Sequence, residues 1–223
     1  MSNYIIIQLD TTAPSNPTIV INGGATYSNQ DLVDLLIGTS DSITTGYQMK
    51  IWGNVDEGHD SNIKATEGSS AWISFSTTKQ IKLSSGDGAK TIYLRLRDDV
   101  HNQSSVVSDT IQLDMSLPNV TVGQPDVSKI SLQPTKNTSS FTFTSSTPFI
   151  EYKVKVVSSA GATHTTGEQI HTDGGSVNTS GIGEFDAPIT VTIKGEDLLT
   201  ASSGDGDKII KVFVKNIAGT WSV

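Results

Sequence analysis

Apolar residues recur along this chain at every second position much more than at every third or fourth. From 91 to 97 the chain sets Ile92, Leu94 and Leu96 on one side and Tyr93, Arg95 and Arg97 on the other; from 209 to 215 it does the same with Ile210, Val212 and Val214. A period of two sends alternate side chains to opposite faces of a strand, so each segment predicts a strand with one buried face. By the same reading, strands are expected at 18–21, 32–37, 47–52, 71–75, 80–83 and 106–113, then at 119–122, 139–144, 151–157, 189–194 and 208–214. Between them lie turn signals that tolerate positive φ: Asn22-Gly23-Gly24, Gly86-Asp87-Gly88, Asp173-Gly174-Gly175 and Gly204-Asp205-Gly206. Many short strands with such punctuation indicate small antiparallel sandwiches, with Trp72, Phe75 and Phe185 expected to fill the space between sheets.

The chain also nearly repeats itself. Ile7-Gln8-Leu9-Asp10 is identical to Ile111-Gln112-Leu113-Asp114, 104 residues later. The segment 47–52 resembles 152–157 at a spacing of 105, and Ser84-Ser-Gly-Asp-Gly-Ala-Lys90 matches Ser202-Ser-Gly-Asp-Gly-Asp-Lys208 at a spacing of 118. The growth in spacing places extra residues in the second copy, in the polar run 161–183. Such an insertion costs little, because loop-closure entropy grows only logarithmically with length. Two domains of about 100 residues, 11–114 and 115–223, follow, preceded by an N-terminal segment 1–10.

Composition narrows the classes. The 29 Ser and 27 Thr make up a quarter of the 223 residues, only 35% are hydrophobic, and no apolar run is long enough to span a bilayer as a helix, so coiled coils, bundles and helical membrane proteins are set aside. A net charge of −8 argues against a surface that tracks phosphates, and no nucleic-acid or membrane partner is expected. Without cysteine there are neither disulfides nor thiolate metal sites. The N-terminus lacks the basic and apolar regions of a secretory signal, so synthesis in the cytosol without secretion is expected.

Several segments together resemble bacterial immunoglobulin-like repeats of the kind found in phage structural proteins and bacterial surface proteins: Leu9-Asp-Thr-Thr-Ala-Pro14, Ile21-Asn-Gly-Gly-Ala-Thr-Tyr-Ser-Asn29, Leu83-Ser-Ser-Gly-Asp-Gly-Ala-Lys-Thr-Ile92 and Arg97-Asp-Asp-Val-His-Asn-Gln-Ser-Ser105. The resemblance covers most of 9–114. It implies an all-β protein of two tandem immunoglobulin-like antiparallel β-sandwich domains. Where the family has an Asp-x-x-Gly-Asn loop this chain has Asp98-Asp-Val-His-Asn102, and the missing glycine predicts a different turn there. The role implied is a non-enzymatic structural component of a bacteriophage virion, in tail, baseplate, collar or capsid decoration, with other virion proteins as partners. A host-surface or carbohydrate-binding adsorption module and an adhesin stalk are the alternatives.

Aligned on the repeat, the second copy lacks the strand that 106–113 supplies to the first, while 4–9, which aligns with 108–113, precedes the first copy. Either 4–9 is the first strand of domain one, or it pairs with the open edge near 208–214 of another subunit to make a homo-oligomeric ring or filament. The subunit-contact candidates are therefore Tyr4, Ile5, Ile6, Ile7, Lys208, Ile210, Val212, Val214 and Trp221. Trp52, His164 and His171 are candidates for surface or glycan binding. No nucleophile elbow, phosphate loop or zinc-binding His-Glu-x-x-His occurs, so no catalytic residue, cofactor or metal is assigned. The acidic Asp56-Glu57-Gly58-His59-Asp60, the pair His164 and His171, and His101 beside Asp98 and Asp99 read as solvated loops.

Overall fold

A computed structural model describes residues 5–170 and 186–223, which fall into two compact units, Met1–Met115 and Ser116–Val223. In the first unit the strands are β1 (Thr18–Ile21), β2 (Tyr27–Ser28), β3 (Leu32–Gly38), β4 (Gln48–Gly53), β5 (Ile73–Ser74), β6 (Thr78–Lys82), β7 (Gly88–Arg97) and β8 (Val107–Leu113). One sheet has the order β1-β3-β6 and the other β2-β8-β7-β4-β5, antiparallel throughout except for the short parallel pair β2–β8. The core lies between them: Ile21, Leu35 and Ile81 from one sheet meet Ile51, Ile92, Leu94 and Ile111 from the other.

The second unit has β9 (Val120–Val122), β10 (Thr138–Ser145), β11 (Phe149–Val157), β12 (Glu168–Gln169), β13 (Ile189–Lys194), a helix α1 (Gly195–Ala201) and β14 (Ile209–Asn216). Its sheets run β13-β10-β9 and β12-β11-β14. Phe143, Phe149 and Tyr152 cluster between them with ring centroids 5.1–6.2 Å apart, beside Val154, Val191 and Val214. Both units are immunoglobulin-like antiparallel β-sandwiches, since in each a single core separates two facing sheets.

The repeat holds bond for bond at a spacing of 118. In the first unit Leu96 N–H donates to Ser104 Oγ (3.0 Å), Asn102 N–H to Asp98 Oδ1 (2.7 Å), and Arg97 bridges Gln103. In the second, Val214 N–H donates to Ser222 Oγ (3.1 Å), Thr220 N–H to Asn216 Oδ1 (2.7 Å), and Lys215 bridges Trp221. Lys90 and Lys208 sit at matching positions and bend their ammonium groups back onto Ser85 O (3.1 Å) and Ser203 O (3.3 Å). Gly86 and Gly88, at φ 82° and 118°, recur as Gly204 and Gly206 at 79° and 115°. The two Gly-Asp-Gly turns are thus one device, in which both glycines take φ values that a Cβ disfavours.

Several expectations need correction. Opposite the matched pairs Arg97 and Lys215 stand Gln48 and Glu151, so 47–52 aligns with 150–155 rather than 152–157; the sequence alignment was two residues out, a slip that preserves which face is buried. The loop 98–102 does not change its turn: His101 adopts φ 70° where the second unit has Gly219 at 92°, and His101 N–H still donates to Asp98 O (3.2 Å), as Gly219 N–H does to Asn216 O (3.0 Å). Only Ile73–Ser74 of 71–75 is strand, and Trp72 lies outside the core with Arg97 Cζ 4.4 Å and Lys50 Nζ 5.0 Å from its ring centre. Tryptophan offers cations a π face, and that attraction outweighed burial here. Helix α1 went unforeseen: it is barely two turns long, opened by Glu196 and Asp197, whose charge suits a helix N-terminus, and it tucks Leu198 and Ala201 onto the core. Phe185 and the turn at 173–175 lie outside the described residues.

One end of the first unit is tied by a single carboxylate. Asp41 accepts from the Ser15 hydroxyl, from Ser15 N–H (3.0 Å), from Thr39 Oγ1 (3.1 Å) and from Tyr47 OH (3.0 Å). The hydrogen bonds from Ser15 hold its carboxyl below the usual range, while burial and then the bond to Asp41 push the Tyr47 phenol up to about 12. A depressed carboxyl stabilises the fold above its unfolded pKa and loses that contribution as pH falls; a raised phenol contributes below its unfolded value near 10 and loses it as pH climbs through about 12. Absorbance at 295 nm should therefore show one late-titrating tyrosine with a midpoint about 12, which Asp41→Asn moves down. An unmoved midpoint would mean the bond to Asp41 does not hold the phenol.

Candidate functional site

One departure of the second unit from the first lies along the outer side of β14. In the first, β7 is flanked on both sides, by β4 and by β8, and β8 also lies along β1, where Asp109 Oδ2 accepts from Ile21 N–H (2.8 Å). In the second, β14 pairs with β11 on one side; on the other, among the described residues, no strand pairs with 208–212, and β9 is the strand that packs nearest. A groove of about 880 Å³ opens there. Its walls include Val122 of β9, Phe141 of β10, Leu198 of α1, Leu132, Ile210 and the Gly204–Lys208 turn. The place that β8 fills in one sandwich is, among the described residues, an opening in the other, walled by apolar side chains and by polar ones such as Ser131, Ser139 and Asp205. Backbone N–H and C=O groups on such an edge want a partner strand, and alternate side chains of that strand would enter the groove.

The edge residues divide. Val212 and Val214 are buried in the core, and the Val214 N–H and C=O are already engaged by Ser222 Oγ (3.1 Å) and Ser222 N–H (2.8 Å), whereas Lys208 and Ile210 are half-buried at the groove. Ile5, Ile6, Ile7 and Leu9 are 81–85% exposed and carry no strand, which overturns the reading of 4–9 as the first strand of domain one as far as the described residues go. Asp10 is where docking begins, its carbonyl accepting from Asn102 Nδ2 (3.2 Å). Tyr4 and His171 lie outside the described residues.

The surface-binding candidates fare differently. Trp52 is 9% exposed and stacked on Tyr93 (5.6 Å, 12°), so its ring is not a platform for a sugar. His164 is not a solvated loop residue: it stacks on Trp221 (4.7 Å, 12°) and meets the edge of Phe213 (6.5 Å). Lys153 Nζ lies 4.5 Å from the same Trp221 ring, and Lys215, paired to Glu151 (3.5 Å), lies 5.8 Å away. Burial, then the charges of Lys153 and Lys155, hold the imidazole below its ordinary value, so the stack is neutral at pH 7. The described part of the long loop is strapped to the sheet by Lys155 Nζ on His164 O (3.0 Å) and Lys211 Nζ on Ala162 O (2.8 Å), and it buries Ile170. No sequence signal joins His164 to Trp221, because the loop path alone brings them together.

The acidic loop at 56–60 directs its oxygens to protein donors. Asp56 accepts from Gly58 N–H (3.0 Å) and pairs with Lys82 (3.1 Å), Glu57 accepts from Ala65 N–H (2.9 Å), and Asp60 pairs with Lys79 (2.8 Å). These carboxylates do not converge on a common point, and among the described residues no group of three potential metal ligands does. Asp98 likewise serves its own loop, accepting from Val100 N–H (3.0 Å) and from Asn102 N–H and Nδ2 (2.7 and 2.8 Å).

No family model and no curated protein matches this chain. Among solved structures, the chain is similar to the fibronectin(III)-like modules of CbhA from Clostridium thermocellum, with a TM-score of 0.44 and 10% identity over 92% of this chain and 90% of that one. It is also similar to the chitinase ChiA74 from Bacillus thuringiensis, with a TM-score of 0.31 and 16% identity over 92% of this chain and 30% of that one. Both likenesses are too distant to bear on what this chain does; the sandwich architecture rests on the sheets and cores described above.

Proposed function

We propose that this chain is a non-enzymatic assembly module, a structural component of a bacteriophage virion that works through contacts between immunoglobulin-like domains. The observation that carries the reading is the second sandwich, which repeats the first through β14 and its turns yet leaves the outer edge at 208–212 and the adjoining groove open among the described residues. A sandwich edge of this kind recruits strands, and strand addition links chains without any chemistry. The resemblance of 9–114 to repeats of phage structural proteins supports the virion setting. Carboxylates and lysines along the loops, such as Asp98, Lys90 and Lys208, brace turns, which suits a rigid building block.

Light scattering on the full chain should give a mass that is a multiple of 23.7 kDa at micromolar concentration. A lone 23.7 kDa species at all concentrations would overturn the assembly reading. The virion setting is checked separately, by probing gradient-purified phage particles from the source host with an antibody to the chain; unlabelled particles would remove it.

A further inference from the structure

We infer that residues 5–9 of one copy add as a strand to the outer edge of β14 in a second copy, antiparallel, with Ile7 and Leu9 filling the groove. The inference rests on the assembly reading above and names its occupant and register.

The first unit supplies the template. There β8 runs antiparallel to β7 with Ile92 opposite Asp109, Thr91 opposite Thr110, Lys90 opposite Ile111, Ala89 opposite Gln112 and Gly88 opposite Leu113. Ile111 and Leu113 are 0% and 1% exposed and close the core, while Gln112 between them faces out. The tetrapeptide that does this, Ile-Gln-Leu-Asp, occurs once more in the chain, at 7–10, where Ile7 and Leu9 are exposed to solvent. The acceptor strand also recurs, since the bonds from the ends of β7 and β14 to the loops that follow them match at a spacing of 118. Transferring the pairing sets Ile5 opposite Ile210, Ile6 opposite Ile209, Ile7 opposite Lys208, Gln8 opposite Asp207 and Leu9 opposite Gly206.

The facing of side chains agrees with that register. Ile7 and Leu9 point inward, as Ile111 and Leu113 do, toward a groove bounded by Ile210 and the Gly204–Lys208 turn. Ile6 and Gln8 point outward, beside the exposed Ile209 and Asp207. A slip of one residue would turn Ile7 and Leu9 to solvent and force Gln8 into an apolar opening. A further bond is available at the end: in the first unit Met115 N–H donates to Asp87 Oδ1 (2.9 Å), and the same spacing aligns Thr11 N–H with Asp205. Each copy offers one donor segment and one acceptor edge, different surfaces, so the contact is heterologous and propagates into a ring or filament.

The absence of native cysteine makes the test direct. Thr91 Oγ1 and Thr110 Oγ1 lie 2.9 Å apart across β7 and β8, so side chains at the pair Ile209 and Ile6 should touch, within reach of a disulfide. Ile6→Cys and Ile209→Cys, prepared separately and mixed under mild oxidation, should give a reducible species of twice the chain mass that contains one of each. Gln8→Cys mixed with Asp207→Cys should do the same, whereas the off-register mixture of Gln8→Cys with Ile209→Cys should cross-link far less. All four positions are exposed, so folding is expected to survive. Cross-linking no greater than in the unmixed single variants would overturn the inference, as would a double variant Ile6→Cys/Ile209→Cys that closes within its own chain. If light scattering still shows an oligomer while both pairs fail to cross-link, this strand and register fall and the assembly reading stands; a monomer that does not cross-link removes both.

Discussion

Phe143→Ala should lower the stability of the second unit by about 3–5 kcal/mol and leave the unfolding of the first unit where it is. Phe143 is 1% exposed and sits at the centre of the aromatic cluster, 5.1 Å from the Tyr152 ring and 6.0 Å from that of Phe149. It projects from β10, flanked across the sheet by Ile189 and Val122. The two neighbouring rings belong to the opposite sheet and cannot both move into the vacated space without breaking β11 from β14. The cavity therefore stays largely open, and the cost includes lost contacts as well as lost transfer energy. A domain of this size has about 5–15 kcal/mol in all, so the loss brings the second unit near its limit. The first unit has its own core, with Ile51, Leu94 and Ile111, and shares no core residue with the second. Calorimetry should show one transition moved down and one unchanged. A single transition that shifts as a whole would show that the two cores do not unfold separately.

Asp98→Ala should cost the first unit about 2–4 kcal/mol, while Asp98→Asn should cost less than about 1 kcal/mol. The Asp98 side chain is buried, at 2% exposure, and receives three hydrogen bonds, from Val100 N–H and from both nitrogens of Asn102. Alanine removes the acceptor of all three half-buried bonds at once, and each bond lost costs about 1 kcal/mol. The contrast with asparagine comes from the molecule itself. At the matching position Asn216 receives Thr220 N–H through its amide oxygen at 2.7 Å, the distance at which Asp98 receives Asn102 N–H. An amide oxygen can receive both backbone N–H groups as Asp98 Oδ1 does, while the bond from Asn102 Nδ2 to Oδ2 is the one that asparagine gives up. Urea denaturation of both variants decides the matter: equal losses would mean that the charge, rather than the acceptor geometry, holds the loop.

Local pattern revealed much of the architecture. Alternation at 91–97 and 209–215 identified β7 and β14 and the faces they bury, because the pleat forces that relation between sequence and side. The Gly-Asp-Gly turns, where positive φ selects glycine, tied the copies together at the spacing of 118 that the hydrogen bonds keep. Where a side chain had two uses the sequence was less informative. Trp72, expected between the sheets, lies with Arg97 and Lys50, while the second core fell to Phe143, Phe149 and Tyr152. The glycine missing from 98–102 suggested a new turn, yet Asp98 holds enough donors to keep His101 at a strained φ.

The longer strands, their buried faces and the repeat were legible along the chain, since each depends on residues within a few positions of one another or on identical strings. Which edge of the second sandwich lacks a partner strand among the described residues came from the fold alone. That question depends on what packs beside β14 from elsewhere in the chain, as does the meeting of His164 with Trp221 or the two-residue shift of β11. Pairing between distant strands is a property of three-dimensional neighbours, and a period of two is equally satisfied by any register that keeps the same face inward.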